Sequence, residues 1–327
     1  MEKIDFVISW VDSDDLEWQK KKQAYSGEKI TNSSNGAERF RDYGTLRYLL
    51  RSIDMYAKWV HHIYLVTDNQ RPRWLDDKSD RLTVIDHQDI IPSKALPTFN
   101  SSAIELCLDN IPGLSEHFVY FNDDFLINRQ VTPNDFFKNG LPCDYRIYNR
   151  LIPYSDFDHI LLNDTACINR WLQGKTKTLK GMFTQSYGLR GNIKNILQLI
   201  RNGGKVSHYD FYHNAYSLTK TEFRQVKALW NSIIEHTIMQ KFRTKDDVNI
   251  YLLRYYRLEL GKFSPRTPNF DAYYTLNDMQ SLTNELDKPK HYLICVNDAN
   301  TIDYANKKSS LVKTLNKKFP EQSSFER

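Results

Sequence analysis

The triplet Asn122-Asp123-Asp124 follows the apolar pair Tyr120-Phe121. Hard divalent cations take carboxylate oxygens, and Mg²⁺ commonly uses one or two of them beside substrate phosphates, so Asp123 and Asp124 form a candidate cation site. Adjacent acids at a strand end also make turns and helix caps, and the triplet alone supports both readings equally. Asp12 closes the apolar run Ile4 to Val11, and Asn297-Asp298 closes His291 to Val296. In open parallel sheets ligands bind outside the carboxyl ends of the strands, so three acidic strand ends favour one shared cleft over three unrelated turns.

A second group comprises Arg39, Arg41, Asp42, Arg47 and Arg51. A guanidinium fork matches phosphate oxygens geometrically, and Arg47 and Arg51 share a helix face at i, i+4. For Arg51 a solvated helix face is the plainer reading. Arg39 and Asp42 precede the helix, where an N-terminus attracts anions and a diphosphate would fit. His213 is one of nine histidines. A lone histidine is more often structural, although imidazole is the right type to take a proton from a sugar hydroxyl near neutral pH. Arg243, within Phe242 to Asp247, would stabilise transferring phosphoryl charge or merely cap the following helix. No Walker-type loop, GxGxxG or GxSxG occurs, which removes support for nucleotide kinases and serine hydrolases.

The elements that must position these residues follow an α/β pattern. Ile4 to Val11 is apolar without alternation, as a parallel strand covered on both faces should be. Leu46, Leu49, Leu50, Ile53 and Tyr56 fall at helical spacing and predict a helix over Tyr43 to Tyr56. Strands follow at His62 to Thr67, Leu82 to Ile85 and Phe118 to Phe121, with a helix starting at Asn100 or Ser101 as cap. The segment after Pro142 has few strand runs and helical stripes at Ile193 to Ile200 and Val248 to Leu258, expected to cover the sheet. His291 to Val296 returns to strand and Lys307 to Phe319 to helix. The expected architecture is a Rossmann-like, mostly parallel central sheet with a largely helical additional region. Residues 1–140 and 290–327 would form the nucleotide-sugar-binding core, and residues 141–289 a mostly helical part carrying His213, Arg243 and the acceptor side.

Composition bounds the function class. The 327 residues suffice for one large α/β domain or two modest ones. With 45 basic against 40 acidic residues the net charge is +5, mildly cationic and compatible with an anionic substrate. The basic runs Lys20 to Lys22 and Lys317-Lys318 are too short for a nucleic-acid footprint, so no nucleic-acid partner is expected. No run reaches the roughly 18 to 20 apolar residues of a membrane span, and no signal-peptide pattern opens the chain. Aromatic residues make up 13%, which suits both core packing and stacking on sugar rings. Four scattered cysteines without metal-ligand spacing read as free or buried thiols in a reducing cytoplasm. The first strand starts directly after Met1 and the chain stops at Arg327 without a polar tail, so membrane-association or docking segments are expected outside it.

The opening Ile4 to Asp12 resembles the first block of the Stealth proteins. The run Arg39 to Ile53, then Ile63 to Gln70, Leu96 to Ser101 and Phe121 to Asp124, is similar to their second. A third block is carried by His213 with Phe242 to Val248. A fourth is carried by Ile294 to Asp298 and Lys318 to Glu326. Stealth members include bacterial capsule polymerases and the animal enzyme that places GlcNAc-1-phosphate on lysosomal glycoproteins. Without that enzyme's long insertions, this chain looks more like a bacterial capsule polymerase core of the meningococcal, UDP-GlcNAc-using kind.

The resemblance implies a UDP-hexosamine donor, a phosphoglycan acceptor, Mg²⁺ or Mn²⁺, and a phosphodiester product with release of UMP. It implies that Asp123 and Asp124, helped by Asp12, hold the cation, and that Arg39, Arg47 and Arg243 balance phosphate charge with Asp42 beside them. Asn100 would bond the donor and His213 would act as base. The expected location is cytoplasmic or peripheral at the inner face of the cell membrane. Two rivals stand beside this reading: a metal-dependent glycosyltransferase, which would release UDP, and a non-catalytic polysaccharide-binding module.

Overall fold

A computed structural model describes residues 2–26, 41–76, 78–210, 213, 215–297 and 303–327. Its strands are β1 (Ile4–Ser9), β2 (Ile63–Thr67), β3 (Leu82–Asp86), β4 (His117–Asn122), β5 (Phe125–Ile127), β6 (Phe137–Lys138), β7 (Leu141–Asp144), β8 (Tyr216–Thr219), β9 (Ser264–Pro265), β10 (Asp271–Thr275) and β11 (Leu293–Asn297). They form a central sheet of order β3-β2-β1-β4-β8 and two small sheets, β10-β11-β5 and β6-β7-β9. Strands β1 to β4 are parallel and β8 is antiparallel at the edge. The fold is thus the expected α/β class with a mostly parallel central sheet. The 141–289 segment is more than helical, because it supplies β8 to the central sheet and β10 to a small one.

Side chains alternate across the pleat, so β1 feeds two cores. Ile4, Phe6 and Ile8 pack with Leu49, Ile53 and Phe319, whereas Val7 packs on the other face with Phe118, Leu218 and Tyr255. Both faces are covered, which is why the strand is apolar on both sides, Asp5 and Ser9 apart. Its one acid, Asp5, is fully buried. It is satisfied by His61 Nδ1 and by the Ser115 N–H, each at 2.7 Å, so it ties the start of β1 to the loops before β2 and β4.

The helices are α1 (Leu16–Ser26), α2 (Thr45–Tyr56), the short α3 (His87–Ile90), α4 (Ser101–Glu105) and α5 (Pro133–Phe136), then α6 (Asp156–Trp171), α7 (Gly188–Arg201), α8 (Lys220–Met239), α9 (Tyr251–Leu260), α10 (Met279–Asp287) and α11 (Tyr304–Lys318). Helix α2 starts two residues later than its apolar spacing predicts, because Gly44 takes a left-handed φ of +75° and donates its N–H to Asp42 Oδ1 at 2.6 Å. Asn100 is the N-cap of α4, accepting from the Ser102 N–H at 3.0 Å. The stripe Ile193 to Ile200 does not cover the sheet: it faces solvent on α7.

The chain end is sewn onto α2. Glu326 accepts from Arg51 Nε at 2.7 Å, Arg51 Nη2 at 2.9 Å, the Ser323 N–H at 2.9 Å and Arg47 Nε, while Phe325 is fully buried beside it. Desolvation pushes the Glu326 carboxyl up, but the bonds from Arg51, Ser323 and Arg47 outweigh it and hold the group at about 2. A carboxyl depressed on folding contributes stability above its ordinary value of 4.5, lost as pH falls towards 2. Replacing Glu326 with Gln leaves two buried-side guanidinium groups without their counter-charge, and we expect a loss of about 3 kcal/mol at pH 7. In urea titrations the gap between wild type and variant should shrink steadily below pH 4.5; a gap independent of pH would show that the ion pair is not its source.

Candidate functional site

A cavity of about 510 Å³ opens where the carboxyl ends of the strands converge. It is lined by Ser9 at the end of β1 and Trp10 beyond it, Val66 of β2, Asn122 of β4, Val296 and Asn297 of β11, and by Phe157, His213, Arg243 and Tyr251. The volume suits a drug-sized or nucleotide-sized ligand.

Asp123 and Asp124 occupy the turn in which the chain leaves the central sheet for β5 of the second sheet. The Val296 N–H donates to the Asp124 carbonyl at 2.9 Å, so β11 fixes the turn from the far side. Burial pushes the Asp123 carboxyl well above its ordinary range, and the neighbouring charges of Asp124 and Asp42 push it further. Asp124 is also raised by burial, against the opposing pull of His213 and of a hydrogen bond from the Cys295 thiol, Sγ to Oδ2 3.3 Å. Burial likewise raises Asp42, opposed by the Gly44 N–H and Lys308 and reinforced by Asp12. Asp124 Oδ1 is buried without a hydrogen-bond partner among the described residues. Mutually repelling carboxyls with an orphaned oxygen fit a hard divalent cation. One ligand atom each of Asp124, His213 and Cys295 lies within 4.8 Å of the others. Burial holds the Cys295 thiol protonated, which makes it a donor to Asp124 and leaves oxygen as the main donor type.

The antiparallel pairing of β4 with β8 brings His213 to these acids. Tyr120 pairs with Tyr216; extended three residues further, the same register sets position 213 against position 123. His213 Nε2 lies 3.8 Å from Asp124 Oδ2 and accepts from Asn122 Nδ2 at 2.9 Å. Asn122 Oδ1 in turn accepts from the Tyr120 hydroxyl at 2.7 Å, and Tyr120 lies 3.4 Å from Glu105 Oε1. Burial pushes Glu105 up to about 7, with Arg243 opposing. The Tyr120 hydroxyl can donate to Glu105 Oε1 or to Asn122 Oδ1, and the shorter bond, to Asn122, joins it to the imidazole lone pair. Glu105, Tyr120, Asn122 and Cys295 are site residues that the sequence reading did not assign. For Glu105 a signal existed, since it is the only charge in Ser101 to Leu108.

Arg243 lines the cavity, donates to Ser101 Oγ and lies 5.9 Å from the Phe157 ring. Arg41 also lines the cavity, 5.0 Å from the Tyr304 ring. Asn100 does not line it: the side chain is fully buried, capping α4 and donating to Asp247 Oδ2 at 2.9 Å. Because Asp247 also receives the Thr244 N–H at 3.0 Å, Asn100 ties α4 to the turn that presents Arg243. Arg47 is not brought to the cavity either, being paired with Glu326 and lying 5.5 Å from the Trp74 ring. Asp12 stands just beyond the wall, its N–H on Gln70 Oε1 at 2.9 Å and its carboxylate accepting from the Asp14 N–H. Arg39 and Asp298 lie outside the described residues.

Comparison with known proteins matches conserved region 1 of the Stealth proteins to residues 2–30 and conserved region 2 to residues 39–143. The exopolysaccharide phosphotransferase cps2G of Lactiplantibacillus plantarum is 42% identical over 99% of this chain and 96% of its own length. The capsular polysaccharide phosphotransferase WcwK of Streptococcus pneumoniae is 39% identical over 100% and 99%. The receptor polysaccharide phosphotransferase WefC of Streptococcus oralis is 34% identical over 100% of both chains.

The acidic turn should cost stability in the absence of a cation. A carboxyl raised on folding favours the fold below its unfolded value, and that contribution is lost as pH rises towards the folded value. In chelator at pH 7, Asp123→Asn should therefore melt about 2 °C or more above wild type, a shift of the order that 1 kcal/mol produces in chains of comparable size. Thermal unfolding followed by circular dichroism decides this, and a lower midpoint for the variant would mean that Asp123 is held by favourable contacts.

Proposed function

We propose, since the chain belongs to the Stealth family, that it is a polysaccharide phosphotransferase that moves a hexosamine-1-phosphate unit from a UDP-sugar to a hydroxyl of a growing capsular polysaccharide. The observation that carries this reading is the meeting, in one cavity, of the carboxyls at the end of β4 with His213 beside Asp124 and with Arg243. A diphosphate needs cations on both sides, and an attacking hydroxyl needs a nearby base.

In this mechanism the acceptor oxygen attacks the sugar-bearing phosphorus in line, the bond from that phosphorus to the bridging oxygen breaks, and UMP leaves. The bond between sugar and phosphate stays intact. Such transfers depend mainly on positioning and charge stabilisation. Arg243, steadied by Ser101, meets phosphate oxygens from the helical wall, and Arg41 is placed to do so from the sheet side. His213 Nε2 takes the acceptor proton once the acceptor hydroxyl replaces Asn122 Nδ2 on its single lone pair, and Asp124 Oδ2 at 3.8 Å favours the resulting imidazolium. Asn122 holds the ring so that Nε2 carries the lone pair beforehand. Asp123 and Asp124 would hold Mg²⁺ or Mn²⁺, which supplies charge neutralisation at the diphosphate and the leaving UMP. Asp42 acts on Asp123 electrostatically and adds to the negative charge there.

The decisive experiment incubates the protein with UDP-GlcNAc, Mg²⁺ and a short phosphoglycan primer and identifies the nucleotide released. UMP is expected; UDP would make the chain a glycosyltransferase, and neither nucleotide under any divalent cation or UDP-hexosamine would favour a binding module. Turnover should cease in excess chelator. Two variants should fail differently. Asp123→Asn should regain part of its rate at raised Mg²⁺, whereas His213→Ala should lose about 10² to 10⁴-fold in the chemical step at any metal concentration. A loss below about tenfold for His213→Ala, with an unchanged pH profile, would remove His213 as the base.

A further inference from the structure

Helix α7 is mounted the wrong way round for a core element. Its buried residues are Gly191, Asn195 and Gln198, at i, i+4 and i+7, so the helix meets the protein with a small and polar face. Asn195 makes that attachment specific. Its Oδ1 accepts from the Tyr148 N–H at 2.9 Å, and its Nδ2 donates to the carbonyls of Arg146 and Met182 at 2.8 and 2.5 Å. Gly191 allows the close approach, since a Cβ there would come within 2.8 Å of Ile147 Cδ1. The opposite face carries Leu189, Ile193, Ile196 and Ile200, which are 79%, 44%, 47% and 73% exposed.

The charge around this face has one sign. Between Asp164 and Asp210 the sequence contains no acidic residue but eight basic ones: Arg170, Lys175, Lys177, Lys180, Arg190, Lys194, Arg201 and Lys205. On α7 itself Arg190, Lys194 and Arg201 fall along one flank of the apolar stripe, four and seven residues apart. Lys194 is paired with Asp210 at 2.6 Å, and Arg190 and Arg201 are exposed. The loop just before α7 adds exposed Leu179 and Phe183. An apolar stripe beside a basic flank is the pattern of helices that lie in the plane of an anionic membrane interface. Among the described residues no helix is long and apolar enough to cross a membrane.

We propose that α7 is an interfacial helix that docks this protein on an anionic phospholipid surface, with Leu189, Ile193, Ile196 and Ile200 entering the headgroup boundary and Arg190 and Arg201 meeting lipid phosphates. A second copy of the chain fits less well, because pairing two such faces would bring two uniformly basic segments together. A neutral apolar partner would leave the basic flank unused.

Sedimentation with large vesicles tests this without any turnover, so its outcome is separate from that of the nucleotide-release assay. Wild type should bind phosphatidylglycerol-containing vesicles at least tenfold more tightly than pure phosphatidylcholine vesicles, and less so at high salt. The triple variant Leu189→Gln, Ile196→Gln, Ile200→Gln should lose at least tenfold of that binding while keeping the wild-type melting curve, since all three side chains are exposed. All four native cysteines are buried, so an Ile200→Cys protein can be labelled there with a polarity-sensitive dye, whose emission should shift to the blue on adding anionic vesicles. The proposal falls if wild type does not bind these vesicles, if the dye reports no change of polarity, or if the triple variant binds as wild type does. It also falls if wild type is a dimer in sedimentation velocity that the triple variant dissociates, for then the apolar face belongs to another copy.

Discussion

Carboxyls that repel one another in a desolvated turn are the constraint around which this structure is arranged. Asp123, Asp124 and Asp42 each carry a carboxyl raised by burial, and Asp123 feels both of the others. Such a cluster opposes the fold's own stability, because half-buried carboxyls that repel one another lose solvation without full compensation. The surroundings hold the cluster in place while easing it only in part. The Cys295 thiol satisfies one oxygen of Asp124, Gly44 satisfies one of Asp42, and Asp124 Oδ1 is left with none among the described residues. What remains is an electrostatic demand directed into the cavity, met when positive charge arrives there. A stabilised version of the same turn would make that demand smaller and the site weaker.

Two devices hold the turn and the facing wall in register. The turn is where the chain passes from one sheet to another, so β1 and β4 fix one side of it and β11 the other. The facing wall hangs on the edge strand β8 and on Asn100, which ties the start of α4 to the turn carrying Arg243. Deeper support comes from a buried ion network. Asp144 accepts from both Arg254 and Arg257, and Arg257 also bonds Glu222 beside β8. Breaking such a network exposes an unpaired charge, so the helices behind the cavity wall are fixed relative to the sheet.

What could be read from the sequence follows from how local each feature is. Strands β1, β2 and β4 and helix α2 announced themselves, because burial on both faces or along one stripe leaves its mark within a dozen residues. The acidic strand ends were legible for the same reason. Arg47 was assigned to phosphate on sound local chemistry, yet its partner Glu326 stands 279 positions away, where no spacing rule reaches. Asn100 was assigned to the donor and is instead a cap and tether, a role set by Asp247, again a distant residue. Glu105 and Tyr120 escaped because a tyrosine in an apolar strand and one acid in a short helix look like packing until a shared hydrogen-bond chain joins them to Asn122 and His213.

The case of α7 separates periodicity from orientation. A stripe at helical spacing tells which residues share a face, and nothing in the spacing says whether that face meets the protein or the solvent. The usual default, apolar inward, rests on the free energy of removing hydrocarbon from water. Here it is overridden by a polar attachment that saturates Asn195 and joins Gln198 to Asn202 and Ser207. A helix held by its polar face keeps its apolar face in water at a continuing cost, and selection against aggregation should remove that arrangement unless something covers it. The basic, acid-free sequence around the helix indicates the character of the cover. The same segment is anchored to Tyr148 and Arg146, which bond Glu259 of α9. Helix α9 begins at Tyr251, which lines the cavity. The exposed face and the cavity are thus joined by a hydrogen-bonded path, so a surface that captured α7 would also set the direction in which the cavity opens relative to that surface.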